Sequence, residues 1–306
     1  MKILVIFTGG TIGSEVKDGW ISPDSSAKYE LIANYKGKAE FETLSPYTIL
    51  SEQLSATEIN KLTECVFDNI DKDYDGIIVT HGTDTLQYSA TALGFMLGKC
   101  EIPVVLVSAN YPLHDKRSNG HINFKTAVDF IKSRKHKGVF VAYKNTNEKH
   151  AHIHNAVHVL RHAECTDEVY SLDNQPYCIG KKINKKHLPL TDEENIGTGR
   201  VTLCENPEIL KVDSFPSDSF KYDLSKYKAV IISPYHSGTL NTLSKNFQQF
   251  CKKAKEENVE IFVPNVKYGI TYESSKLFHE LGLKILPYCT QTKAYMELWI
   301  NLSKKR

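Results

Sequence analysis

The sequence predicts an α/β protein on parallel sheets, with a larger N-terminal domain and a smaller C-terminal one. Three observations predict it. Apolar runs such as KILVIF, PVVLVS and GVFVAY lack the alternation of a half-exposed strand. Amphipathic stretches separate these runs. The rhythm stops between about Asp173 and Asp223 and then restarts. Strands buried on both faces read as unbroken apolar runs, and strand–helix alternation builds parallel crossover units.

The elements follow in order. KILVIF (2–7) is the first strand. From Ser55 to Ile70, Ile59, Leu62, Val66 and Ile70 fall on one helical stripe. IIVT (77–80) is the second strand, and Thr85 to Leu97 is helical, with Leu86, Ala90, Leu93 and Leu97 inward. PVVLVS (103–108) is the third strand, His121 to Ile131 a helix and GVFVAY (138–143) the fourth strand. The polar stretch that follows reads as irregular. The domains are set at 1–200 and 223–306, with a linker at 201–222. In the second domain AVIISPY (229–235) and VEIFVPN (259–265) are strands. Leu240–Glu256, Ser274–Leu281 and Thr292–Leu302 are helices.

Length and composition agree: 306 residues suit about two domains. A net charge of +2 gives no argument for nucleic acid or an anionic membrane. Lys181, Lys182, Lys185 and Lys186, and the terminal Lys304-Lys305-Arg306, read as solvated faces. There is no 18-residue apolar run to span a membrane. The N-terminal run lacks a small-residue cleavage site, so it reads as a strand and not a signal peptide. Seven scattered cysteines without C-x-x-C fit reduced thiols in a cytoplasm.

In open parallel sheets, ligands sit beyond the carboxyl ends of the strands. Three stretches fall there: TGGT (8–11), THGTDT (80–85) and SANYPLHDKRSNG (108–120). TGGT alone fits a strand-to-helix turn as well as a site, since Gly and Thr are common in such turns. No nucleotide fingerprint, G-x-G-x-x-G or Walker-type, is present. HGTDT is more specific: two hydroxyls flank an acid at the mouth of a buried strand.

Together, TGGTIG at 8–13 and THGTDT at 80–85 resemble the two signature motifs of the L-asparaginase / glutaminase family. HGTDTLQYSATALGFML is also similar to the archaeal amidotransferase subunit that feeds ammonia to glutamyl-tRNA, a relative with an extra N-terminal domain, whereas this chain starts at strand one. The resemblance is close to about residue 110 and looser beyond, with weak matches at Tyr272-Glu273 and Thr292 to Leu298. It implies a flavodoxin-like N-terminal domain and a Rossmann-like C-terminal one. It implies hydrolysis of L-asparagine to L-aspartate and ammonia, no cofactor and no metal, and a homodimer or homotetramer. Thr11 would be the nucleophile. Thr83 and Asp84 would complete the site, with Ser51, Glu52, Gly10 and Gly82 around the substrate. Backbone N–H groups of Gly10, Thr11 or Thr83 would supply the oxyanion site.

Three positions depart from the family pattern. Trp20 stands near the place of a loop tyrosine, and Tyr29 is the next aromatic candidate. Leu160 or Arg161 holds the place of a lysine, Arg161 keeping the charge without a removable proton. Asn119 replaces an acid in the third loop. Two alternatives therefore stand beside asparagine hydrolysis: an amidase for glutamine or a modified amino acid, and a non-catalytic amino-acid-binding protein.

Two further clusters are candidates. His150, His152, His154, His158 and His162 lie within thirteen residues. The first three share a strand face, and His154, His158 and His162 a helix face, if the segment is helical. They are read as surface or network histidines ahead of a metal site. Tyr235-His236-Ser237-Gly238-Thr239 is either a substrate-facing loop or a helix start capped by Ser237 or Thr239.

Overall fold

The computed structural model describes residues 1–17, 20–23, 27–266 and 272–305. Arg306, the last of the basic terminal residues, lies outside them. The chain divides into two units, Met1–Glu205 and Asn206–Arg306.

In the first unit, β1 (Lys2–Phe7) is followed by a hairpin of β2 (Ser14–Lys17) and β3 (Trp20–Pro23), then helix α1 (Ala27–Ala33) and β4 (Glu40–Leu44). Next come α2 (Ala56–Phe67), β5 (Gly76–Thr80), α3 (Leu86–Leu97), β6 (Pro103–Val107), α4 (Gly120–Lys132) and β7 (Gly138–Tyr143). β8 (His152–Asn155), β9 (Cys178–Ile179), β10 (Lys182–Ile183) and α5 (Asp192–Ile196) complete the unit. The sheet runs β4-β1-β5-β6-β7-β8-β9-β10. The first five strands are parallel; the last three extend the sheet antiparallel.

By its parallel strands alone, the order is 2-1-3-4-5, a flavodoxin-like winding whose direction reverses between the first and third. Here those strands are β1 and β5, so the fold sets the loop at 8–11 beside the loop at 81–84. Both sheet faces are packed. Leu4, Ile6, Val79, Leu106 and Val141 meet Leu62 and Val66 of α2 and Leu86 and Leu93 of α3. Val5, Ile78 and Val105 meet Leu31 of α1 and Phe124 and Ala127 of α4. Burial on both sides explains the unbroken apolar runs of β1, β5, β6 and β7. α2 starts at Ser55 in a reciprocal capping box with Glu58.

The second unit contains β11 (Ile209–Asp213), β12 (Ala229–Ser233), α6 (Lys245–Glu256), β13 (Glu260–Val266), β14 (Leu283–Pro287) and α7 (Gln291–Lys304). Its sheet is parallel in the order β11-β12-β13-β14. This corrects the expected boundary. The 201–222 segment is not all linker, because β11 lies inside it and Leu210 and Val212 are buried. A five-residue strand in polar flanks carries too little apolar signal to show. The expected helix at Ser274–Leu281 is only a 3-10 turn, Glu273–Leu277. α6 starts later than expected, capped by Ser244. Residues 235–239 instead close a turn through Tyr235 N–H to the Thr239 carbonyl (3.0 Å), so neither Ser237 nor Thr239 caps that helix.

The histidines at 154, 158 and 162 share no helix face. His152 and His154 lie on β8, opposite Tyr143 and Val141, and His158 ends a 3-10 turn. No group of three or more His, Cys, Asp or Glu side chains among the described residues is arranged to hold a metal ion. His154 is buried with Nδ1 2.7 Å from Ser171 Oγ, and burial pulls its pKa down to about 3. Unfolding frees it to titrate near 6.5. Its contribution to stability is therefore full above pH 6.5 and lost as pH falls below that value. By pH 5 the loss is about 2 kcal/mol. Urea midpoints at pH 7.5 and pH 5 measure it. The drop should be smaller in H154Q; an equal drop would assign the acid sensitivity to other groups.

Candidate active site

The site is built from two glycine turns in contact. Thr8 Oγ1, at the end of β1, donates to the Thr80 carbonyl at the end of β5 (2.6 Å). Ile49 N–H bonds the Thr8 carbonyl (3.2 Å), and Gly10 N–H the Ile49 carbonyl (2.9 Å). Gly10 has φ 77° and ψ −179°, a region essentially closed to side chains, and opens the 3-10 turn Thr11–Gly13. A Cβ on Gly10 would lie 2.3 Å from the Gly82 nitrogen and Cα. One on Gly82 would lie 2.4 Å from Ser51 Cβ. Thr11 and Thr83 each follow one of these touching glycines.

The carbonyls before both threonines are tied down. The Gly10 carbonyl accepts from Gly13 N–H (2.9 Å) and Ser14 Oγ (2.7 Å). The Gly82 carbonyl lies 2.9 Å from His81 Nδ1. In a trans peptide the N–H points opposite its carbonyl. The Thr11 and Thr83 N–H groups therefore point away from those anchors, and neither donates to a backbone carbonyl among the described residues. The Gly10 N–H is committed to Ile49, which removes it from the three expected oxyanion donors.

Beside them, Ser51 Oγ donates to Asp84 Oδ2 (3.1 Å). Thr85 Oγ1 donates to the Ser51 carbonyl (2.8 Å) instead of capping α3. Gln87 Nε2 holds the Asp84 carbonyl (3.0 Å). Ser51 is buried, Thr11 and Thr83 half-buried, and Asp84 and Glu52 exposed. The arrangement offers two hydroxyls, two N–H donors and a positioned carboxylate on two touching turns.

Other predicted residues are not brought to this cluster. Trp20 opens β3, paired with Lys17 of β2, and is 77% exposed, and Tyr29 is exposed on α1. Arg161 is exposed; its charge reaches Tyr88, on α3 just past Asp84, and opposes the upward push of burial on that hydroxyl. No hydrogen bond or ion pair joins Arg161 to Thr83 or Asp84 among the described residues. Asn119 is buried as a clamp. Its Oδ1 accepts from Asn110 N–H (3.0 Å) and its Nδ2 donates to the Lys144 carbonyl (2.8 Å). An aspartate could not make the second bond.

His81 is the residue that sequence reasoning left without a role. It is buried, with Nε2 2.8 Å from Ser89 Oγ, and burial lowers its pKa. A neutral ring with the proton on Nδ1 satisfies both contacts: it donates to the Gly82 carbonyl and accepts from Ser89. It thereby sets the plane of the Gly82–Thr83 peptide. A histidine at the mouth of a fully apolar strand was the available signal. H81L is expected to lower kcat about 10- to 100-fold with little change in KM, and H81Q, which keeps a donor, to recover part of it. Steady-state kinetics decides; a KM effect alone would assign His81 to substrate binding.

Fold and site together define a two-unit α/β protein with a hydroxyl-rich site at the reversal of a parallel sheet. The Asparaginase, N-terminal family model matches residues 2–187, and the chain belongs to the asparaginase family. It is 26% identical to an L-asparaginase of Thermococcus kodakarensis over 96% of this chain and 89% of that one. It is 28% identical to a glutamyl-tRNA(Gln) amidotransferase polypeptide of Methanococcus maripaludis, over 84% of this chain and 64% of that longer one. The fold matches the thermostable L-asparaginase from T. kodakarensis with a TM-score of 0.77 at 23% identity, covering 99% and 93% of the two chains. It matches L-asparaginase I from Vibrio cholerae with a TM-score of 0.79 at 19% identity, covering 100% and 93%.

Proposed function

We propose that this asparaginase-family chain hydrolyses L-asparagine to L-aspartate and ammonia, with Thr11 as nucleophile. The observation that carries the reading is the pair of N–H groups, Thr11 and Thr83, left open beside two hydroxyls by anchored carbonyls. Thr11 Oγ1 attacks the side-chain amide carbon. The two N–H groups receive the developing oxyanion, where preorganised donors count most. The carbon–nitrogen bond breaks, the hydroxyl proton leaves with ammonia, and an aspartyl ester remains on Thr11. Water then cleaves the ester. Asp84, held by Ser51, binds the substrate's ammonium group.

A second reading, hydrolysis of another amide, is favoured by one observation. Among the described residues, Arg161, at the place of the family's lysine, makes no hydrogen bond or ion pair with Asp84 or Thr83. Ammonia release from asparagine, glutamine and related amides tests both readings. Asparagine turnover supports the first, and turnover of a different amide the second. Ligand-induced stabilisation without any turnover would leave a binding protein.

The working form is proposed as a homodimer or homotetramer, which light scattering on the eluting protein measures. A cytoplasmic location is proposed from seven free cysteines. No helix among the described residues is long and apolar enough to cross a membrane.

A further inference from the structure

α4 packs chiefly on β5, β6 and β7 and less on the antiparallel extension. This leaves a recess between α4 and strands β8 and β9, with a cavity of about 580 Å³. That is ample for a small organic ligand. It shares no residue with the site around Thr11.

The floor of the recess is apolar: Ile122 and Phe130 from α4, Ile153 from β8 and Cys178 from β9. Burial pushes the Cys178 thiol up to about 11, so it stays neutral at pH 7. His136 stacks on Phe130 at 4.0 Å and also lines the recess.

The rim is cationic. Lys125, Lys132, Lys144, Lys149 and Lys181 face one acid, Asp129, a formal +4 where the whole chain carries +2. Asp129 is taken by Lys125 (2.7 Å) and touched by Lys181 (3.9 Å). Lys132, Lys144 and Lys149 have no carboxylate partner among the described residues. Charges on a low-dielectric recess focus their field into it.

The geometry points to a second binding site here, for a small organic anion with an apolar body: a phosphate or carboxylate head at the cationic rim, and an aromatic or aliphatic body on the Ile122–Phe130–Ile153 floor. Lysine ammoniums act as point charges suited to such heads. The apolar body is what separates this ligand from a bare ion.

Isothermal titration with 1-naphthyl phosphate tests the site. The expected Kd is below about 1 mM. Inorganic phosphate alone and 1-naphthol alone should each bind at least about tenfold more weakly. The triple variant K132Q/K144Q/K149Q should lose about tenfold or more in affinity. I122E places an acid at a position already exposed, and should weaken binding as well. Circular dichroism checks that each variant is folded. Absence of binding, equal binding of inorganic phosphate, or unchanged affinity in both folded variants would overturn the assignment.

Discussion

Replacing Thr11 by alanine is expected to lower kcat for the accepted amide by about 10³-fold or more, about 4 kcal/mol of barrier. KM should stay within a few fold. Three features support the size of the effect. The residue follows the glycine packed on Gly82, the residue that precedes Thr83. Its loss removes covalent catalysis and leaves only binding and the oxyanion donors, which retain a small part of the rate. The fold should not suffer, because the 3-10 turn at Thr11–Gly13 uses no side-chain cap; stability should stay within about 0.5 kcal/mol. T11S keeps a hydroxyl and should retain far more activity than T11A. Steady-state ammonia release, with thermal melts of the same preparations, measures both parts. Full activity in T11A would pass the nucleophile's role to Thr83 or to water.

Much of this arrangement was legible in the sequence, for a physical reason. β1, β5, β6 and β7 are buried on both faces, so composition alone betrays them. β4 is an edge strand whose Glu40, Glu42, Thr43 and Leu44 are exposed, and EFETL carries no such signal. β8 reads HIHN, yet three of its four residues are buried. Its polarity is offset by hydrogen bonds such as His154 to Ser171, which no periodicity reports. The site divides likewise. Two motifs gave the glycines, the threonines and Asp84, because a turn at a sheet reversal must use such residues. Which N–H groups stay open depends on where the neighbouring carbonyls go. That is set by Ile49, Ser14 and His81, two of them outside the matched motifs. Asn119, a departure from the family by sequence, is by geometry a clamp between two loops.

Substituting alanine for Gly10 is expected to cost about 3 kcal/mol or more and to abolish turnover. Two independent terms add. The backbone at φ 77°, ψ −179° is open essentially to glycine alone. The new Cβ would also overlap the Gly82 nitrogen and Cα at 2.3 Å, and a main chain at the end of a buried strand cannot turn aside as a flexible side chain can. G82A differs in kind. Its Cβ meets Ser51 Cβ and Oγ, at 2.4 and 2.5 Å, so its main obstacle is a side chain. S51G removes that obstacle. The double variant G82A/S51G should therefore regain much of the stability lost in G82A, although it also loses the Ser51 to Asp84 bond and with it activity. G10A/S51G should regain none. Urea unfolding of the single and double variants gives the coupling energies, which contacting residues show and independent sites do not. Equal recovery in both doubles would mean that the two turns are not packed against each other, and with that the site would lose the contact that brings Thr11 to Thr83.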